Sequence, residues 1–384
     1  MNRSFVASET RLHEAATALC GMRDFGDGYL PALRKLLHAL DHDTRLTESG
    51  WQKFFDRIVQ VLVGRAYSQR GWREHPQCLQ YELRPPILIT GLPRTGTTAL
   101  HRVLAMDPQF QGLEYWLIDN PMPRPPRARW ESNTLYRRAV DELEALYREV
   151  PAMKAAHPII ADEVYECLLL TRQSLLSVDF TTNAHLPSYQ SWFLQQDFAP
   201  MWRRYRDNLR LIGLNQAGQP WLLKNPASLF SLAGFIEVFP QATIIQTHRN
   251  PVTSVASGAS LARMARIPYE GPDTSLTAAA QREVELWGQG IDSAMAVRRA
   301  HPDRYVDVYF ADFASRPMHT IRQIYERCGL ALSDASAAAM QRWLDENPQN
   351  KHGEHRYSLE GTGISEDTIR RRFAAYIDLY GLAA

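Results

Sequence analysis

The chain has 384 residues, 45% hydrophobic and 22% charged, which is enough for a sizeable core in one α/β unit carrying helical insertions. A formal net charge of +1 excludes a globally basic surface for nucleic acid or anionic membrane, so any anion site must be local. Cys20, Cys78, Cys167 and Cys328 are far apart and form no Cys-x-x-Cys pair, which argues against a zinc or disulfide scaffold and fits a reducing compartment. With no apolar signal core near Met1 and no run of membrane-spanning length, the expectation is a cytoplasmic enzyme without a membrane span.

Residues 1–84 read as a helical region packing on a core unit at 85–384. Leu30, Leu33, Leu36, Leu37 and Leu40 recur at helical spacing, as do Phe54, Ile58, Val61 and Leu62. The apolar run Ile87 to Ile89 predicts a buried strand. It breaks at Gly91, Pro93 and Gly96, and a helix follows from Thr97. Strand, glycine turn and helix N-terminus make a phosphate cradle, where unpaired N–H groups and the positive end of the helix dipole meet. Arg94 adds a guanidinium fork. Thr97 stands where the lysine of a Gly-Lys-Ser/Thr loop would be, which departs from the loops that hold nucleoside triphosphates with magnesium.

Asp107-Pro108 stops that helix, and Phe110 to Trp116 is a second strand or a loop. Pro121, Pro123, Pro125 and Pro126 form a rigid connection. A helix is expected over 133–149, and Asp162-Glu163 is positioned to cap another carrying Val164, Tyr165, Cys167, Leu168 and Leu169. An insertion over about 117–216 is helical and aromatic. Its residues Phe180, Tyr189, Trp192, Phe193, Phe198, Trp202 and Tyr205 suit either a packed core or an apolar acceptor pocket. Strands at Trp221–Leu223, Ala242–Thr247 and Tyr305–Phe310 then alternate with helices at 229–239, from Pro251, at 277–299 and at 317–328. The pattern predicts a P-loop-like parallel sheet flanked by helices, with ligands at the carboxyl ends of its strands.

Past those ends stand Gly91 to Thr98, Lys224-Asn225-Pro226 and His248-Arg249-Asn250-Pro251. Lys224 is one of only five lysines, and a lysine ending a buried strand is poorly explained as a solvated surface group. Arg249 and Ser257 are spaced so that a turn and the helix after it can serve one phosphate.

Together, Gly-Leu-Pro-Arg-Thr-Gly-Thr-Thr, Leu-Leu-Lys-Asn-Pro and Thr-His-Arg-Asn-Pro-Val-Thr-Ser-Val-Ala-Ser resemble the sulfotransferases that use 3′-phosphoadenosine-5′-phosphosulfate, nearest to their bacterial branch with a long helical insertion. The resemblance runs from about residue 85 to the end. It implies that Arg94, Thr95, Gly96, Thr97 and Thr98 hold the 5′-phosphosulfate, and that Arg249 and Ser257 hold the 3′-phosphate. Lys224 would stand near the bridging oxygen, and Lys351, His355, Arg356 and Tyr357 in a loop closing over the nucleotide. Phe310 stands where the family often has a tyrosine near the adenine. No metal is expected, because the transferred group carries less charge than a terminal phosphate. The acceptor is expected to be a small, partly apolar molecule offering a hydroxyl or an amine, with no nucleic-acid partner. A proton acceptor is needed. Glu114, twenty residues beyond Arg94, lies near where related enzymes place a catalytic glutamate, and His157 matches a histidine of this branch; Glu163 and Glu166 follow downstream. The competing readings are a kinase-like nucleotide phosphotransferase and a non-catalytic nucleotide-binding protein.

Overall fold

The computed structural model describes residues 4–149, 158–348 and 359–382. Four strands, β1 (Ile87–Gly91), β2 (Leu222–Lys224), β3 (Thr243–His248) and β4 (Tyr305–Tyr309), form one parallel sheet in the order β2-β1-β3-β4. β1 pairs with β2 on one side (Ile89 opposite Lys224) and with β3 on the other (Gly91 opposite Thr247). The chain thus turns from one side of β1 to the other after β2, and the carboxyl end of β1 is the crevice where such sheets bind ligands.

Period-two alternation sends successive residues to opposite faces. Leu88, Leu223 and Ile244 join the larger core, while Ile87, Ile89, Leu222, Ile245, Val306 and Val308 join the smaller one. The smaller core is completed by Leu100, Val103 and Leu104 on the helix Thr97–Leu104 and by Ile321 and Ile324 on Pro317–Arg327. Helices on both faces explain why the strands read as continuous apolar runs.

N-terminal helices Glu9–Cys20, Leu30–His42 and Glu48–Glu74 share the larger core with the sheet. Leu33, Leu36, Leu37 and Leu40 are buried as their spacing predicts, and each contributes ~1.5–3 kcal/mol before the entropy of ordering is counted. The long helix starts at Thr47, whose hydroxyl accepts from the Gly50 backbone, and it crosses Pro251–Glu270 closely enough that a Cβ on Gly50 would stand 1.9 Å from the Tyr269 carbonyl oxygen.

Helices at Thr134–Glu149, Leu276–Ala300 and Pro317–Arg327 agree with the sequence to within a residue. β2 and β3 begin and end one residue later than expected, so Lys224 and His248 are the last residues of their strands. β4 stops at Tyr309, and Phe310 opens the short helix Phe310–Ser315. The helix expected over 164–169 is corrected. Residues 161–163 form a turn, Val164 bridges to Glu114 antiparallel, and the chain runs on without helix to a turn at Cys167 and the single helical turn Leu168–Thr171. Gln111 bridges to Trp221, while Tyr115–Ile118 is a helical turn, so the stretch 110–116 is neither a full strand nor a plain loop. The aromatic insertion is core: Phe180, Tyr189, Phe193, Phe198, Trp202 and Tyr205 are buried and pack against one another. Among the described residues, no helix is long and apolar enough to cross a membrane.

Candidate active site

The turn after β1 is built around left-handed backbone. Gly91 has φ 147°, and a Cβ there would stand 2.3 Å from Thr247 Oγ1 and 2.5 Å from its carbonyl oxygen, so β3 admits only glycine. Arg94 (φ 67°) and Gly96 (φ 86°) bracket Thr95. Left-handed residues alternating in this way turn successive N–H groups toward one side, a concavity for anions. For Arg94 that conformation costs about 1–2 kcal/mol, which the surrounding loop must hold in place. Thr95 does so: its hydroxyl donates to the Leu92 carbonyl (2.7 Å) and bonds the Thr247 hydroxyl. Gly96 is the N-cap of Thr97–Leu104 and has no side chain to satisfy the helix's first N–H groups.

Lys224 is 1% exposed. Its ammonium donates to Thr98 Oγ1 (3.2 Å) and is ion-paired with Glu166. Burial pushes the lysine pKa down while the Glu166 carboxylate opposes the shift. His101 lies on the helix that begins at Thr97, with Nε2 3.2 Å from the Leu222 carbonyl. Burial first, then the Lys224 charge, lowers its pKa to about 3, so it is neutral and does not compete as a cation.

Arg249 follows β3 directly. Its Nη1 donates to the Arg94 carbonyl (2.9 Å), and its guanidinium lies 4.0 Å from the Phe310 ring centre. Arg94, Thr98, Lys224 and Arg249 are therefore drawn together at the carboxyl edge of three adjacent strands. On the helix Pro251–Glu270, the hydroxyls of Ser254 and Ser257 are buried and have no hydrogen-bond partner among the described residues. An unmet buried hydroxyl costs about 1–3 kcal/mol, and such groups point to a ligand. The uncapped helix, the left-handed turn, the cations and these two serines fit a ligand with more than one anionic group.

Glu114 is paired with Arg124. Its carboxylate is 3.0 Å from Arg124 Nε, and Arg124 also binds Gln111, Gln216 and the Gly112 carbonyl. Burial raises the Glu114 pKa, with Arg124 opposing. The carboxylate that meets Lys224 is Glu166, which no sequence motif singles out from Glu163; the expected helix concealed its position. His157, Lys351, His355, Arg356 and Tyr357 lie outside the described residues. His248, beside Arg249, is held by Asp307 (Nε2 to Oδ1, 2.8 Å) and Tyr376 (3.0 Å), which ties the C-terminal helix Ala374–Tyr380 to the end of β3.

A parallel sheet with a left-handed anion turn and cations at its carboxyl edge defines a P-loop-like α/β enzyme fold. The sequence profile of the sulfotransferase family matches residues 85–334, and the chain belongs to that family. The crystal structure of sulfotransferase STF1 from Mycobacterium tuberculosis is 38% identical and superposes with a TM-score of 0.88, over 97% of this chain and 100% of that one. Sulfotransferase STF9 from Mycobacterium avium shares the fold (TM-score 0.89, 22% identity, 97% and 96% of the two chains). The omega-hydroxy-beta-dihydromenaquinone-9 sulfotransferase Stf3 of Mycobacterium tuberculosis, and that of Mycobacterium bovis, is 22% identical over 77% of this chain and 75% of its own. The protein is a transferase enzyme of the sulfotransferase family.

Proposed function

We propose that this enzyme transfers a sulfuryl group from 3′-phosphoadenosine-5′-phosphosulfate to a hydroxyl, or an amine, of a small and partly apolar acceptor. One observation carries this reading. The buried Lys224 donates to Thr98 of the anion turn, while Arg249, which precedes the helix that carries Ser257, binds the backbone of Arg94 in the same turn. The arrangement suits two anionic groups at once, as a 5′-phosphosulfate and a 3′-phosphate would be.

When bound, the donor supplies an electrophilic sulfur and a phosphate leaving group. Arg94 and the backbone N–H groups of Gly96, Thr97 and Thr98 would hold the 5′ end. Thr95, whose hydroxyl is committed to Leu92 and Thr247, would contribute only its N–H. Lys224, sealed from water, would meet charge as it develops on the departing phosphate, where a positioned donor is worth most. Arg249 and Ser257 would hold the 3′-phosphate. Lys351, His355, Arg356 and Tyr357 remain proposed cover for the nucleotide on the strength of the resemblance, and His157 remains a candidate for proton transfer. For Glu114 the buried pair with Arg124 favours a bracing role over proton transfer. The hydroxyl acceptor in the name of the mycobacterial relative supports a hydroxyl on an apolar molecule as the acceptor class.

The reading is tested with sulfur-labelled donor and a panel of hydroxyl acceptors in EDTA. Lys224→Ala should reduce kcat by about 10²–10³-fold and leave the affinity for adenosine-3′,5′-bisphosphate within about fivefold. Undiminished transfer by that variant would refute the role of Lys224.

A further inference from the structure

We propose that His248 is a positioning residue for the 3′-phosphate subsite, fixing where Arg249 leaves β3, and that the C-terminal helix Ala374–Tyr380 supports that subsite through it. This deepens the sulfuryl-transfer reading above and rests on it. Arg249 stands between two pinned neighbours. On its far side Asn250 caps the helix Pro251–Glu270 by accepting from the Val252 N–H (2.9 Å). On its near side His248 ends β3 with its side chain wholly buried among groups from β4, the helix Leu276–Ala300 and the C-terminal helix. Alternation sends Thr247 to the opposite face of the sheet, where its hydroxyl bonds Thr95. The end of β3 is therefore held on both faces just before Arg249.

The partners on the His248 face form one connected chain. Asp307 on β4 accepts from both Nη groups of Arg298, at 2.6 and 2.7 Å, and Arg298 Nη1 also reaches Gln246 (3.3 Å), two residues before His248. Burial alone would raise the Asp307 pKa, but the bonds from His248 and Arg298 outweigh it and keep the carboxylate ionised. An ionised carboxylate only accepts, so His248 Nε2 donates to it (2.8 Å). Burial pushes the His248 pKa down, with Asp307 opposing, so the ring is neutral and Nδ1 accepts from the Tyr376 hydroxyl (3.0 Å). The Tyr380 ring stacks on the imidazole with centres 4.0 Å apart. Tyrosine, histidine, carboxylate and guanidinium thus run from the C-terminal helix through β3 and β4 to the helix Leu276–Ala300.

Tyr376 and His248 are each 1% exposed, so this chain of bonds acts on geometry and not on a substrate. Arg249 carries its guanidinium to the Arg94 carbonyl and the Phe310 ring, so a displaced strand end moves that fork against the anion turn. Positioned groups lose much of their worth when displaced by about 1 Å. The 5′ end of the nucleotide would meet the turn after β1 and Lys224 on β2, the other flank of the site. Loosening His248 therefore bears on the 3′-phosphate alone.

The test is calorimetry on the full chain in EDTA with adenosine-3′,5′-bisphosphate and adenosine-5′-phosphate. His248→Phe keeps an aromatic ring and loses both hydrogen bonds; it should weaken the bisphosphate by about 10–50-fold and the monophosphate by less than about threefold. His248→Gln, which can still donate to Asp307, should recover about half of that loss on a logarithmic scale. Added to Arg249→Ala, His248→Phe should change the bisphosphate affinity by less than about twofold, because both act on one contact. Tyr376→Phe should weaken the bisphosphate by about 3–10-fold, and it decides the question if His248→Phe does not fold. Equal losses for the two nucleotides, additive losses with Arg249→Ala, or an unchanged preference for the bisphosphate in either His248→Phe or Tyr376→Phe would overturn the assignment. A parent enzyme that does not prefer the bisphosphate would instead contradict the reading of Arg249 and Ser257.

Discussion

Gly91 and Arg94 show how a few dihedrals build this site. Gly91 allows β3 to come so close that Thr247 can grip the turn through Thr95, and that grip keeps Arg94 left-handed. Gly91→Ala combines a forbidden φ with a Cβ inside contact distance of Thr247, and it should lower the free energy of unfolding by about 2–4 kcal/mol in urea titrations. Unaltered stability would show that β3 gives way. Much at this scale was legible in the chain. The glycines, Arg94, Lys224 and Arg249 stand out by type and place along the sequence. The inward aim of the Thr95 hydroxyl and the contact of Glu166 with Lys224 were not legible, because both depend on a partner more than 50 residues away.

The insertion is tied to the N-terminal helices by a buried charge cluster. Asp179, on Val178–Asn183, binds Arg57 (2.6 Å) on Glu48–Glu74 and Arg172 (3.1 Å). Burial alone would raise the Asp179 pKa, but the two guanidinium groups outweigh it and bring it from the ordinary 3.8 to about 2. A depressed carboxylate contributes stability above its unfolded pKa and loses it as pH falls through the folded one. Asp179→Asn should therefore destabilise the protein by about 3–5 kcal/mol at neutral pH, with the difference from the parent shrinking between about pH 4 and pH 2. Chemical denaturation across that range checks it, and a pH-independent difference would contradict it. Helix and strand positions at this scale were largely legible from periodicity, since Leu33, Leu36, Leu37 and Leu40 face a core. The segment 164–169 was not. Its apolar residues and the Asp162-Glu163 pair suit a helix, yet pairing of Val164 and Tyr165 with Glu114 and Leu113, and of the Cys167 N–H with the Lys224 carbonyl, delays the helix to Leu168. Tertiary pairing overrode local preference there.

Across the whole molecule, the alternation of strands and helices announced a parallel sheet, but the order β2-β1-β3-β4 and the crevice beside β1 emerge only from the fold. That order sets Lys224 and Arg249 on the two flanks of the anion turn, one strand to either side. In the proposed function these flanks serve different anionic groups of one nucleotide. Calorimetry in EDTA, comparing adenosine-3′,5′-bisphosphate with adenosine-5′-phosphate, tests it most directly. The bisphosphate should bind about 10–100-fold tighter, as charge-assisted bonds of ~1.5–3 kcal/mol require, and Arg249→Ala should abolish that preference while sparing the 5′-phosphate. Equal affinity of the parent enzyme for both nucleotides, or a preference that survives Arg249→Ala, would contradict the account.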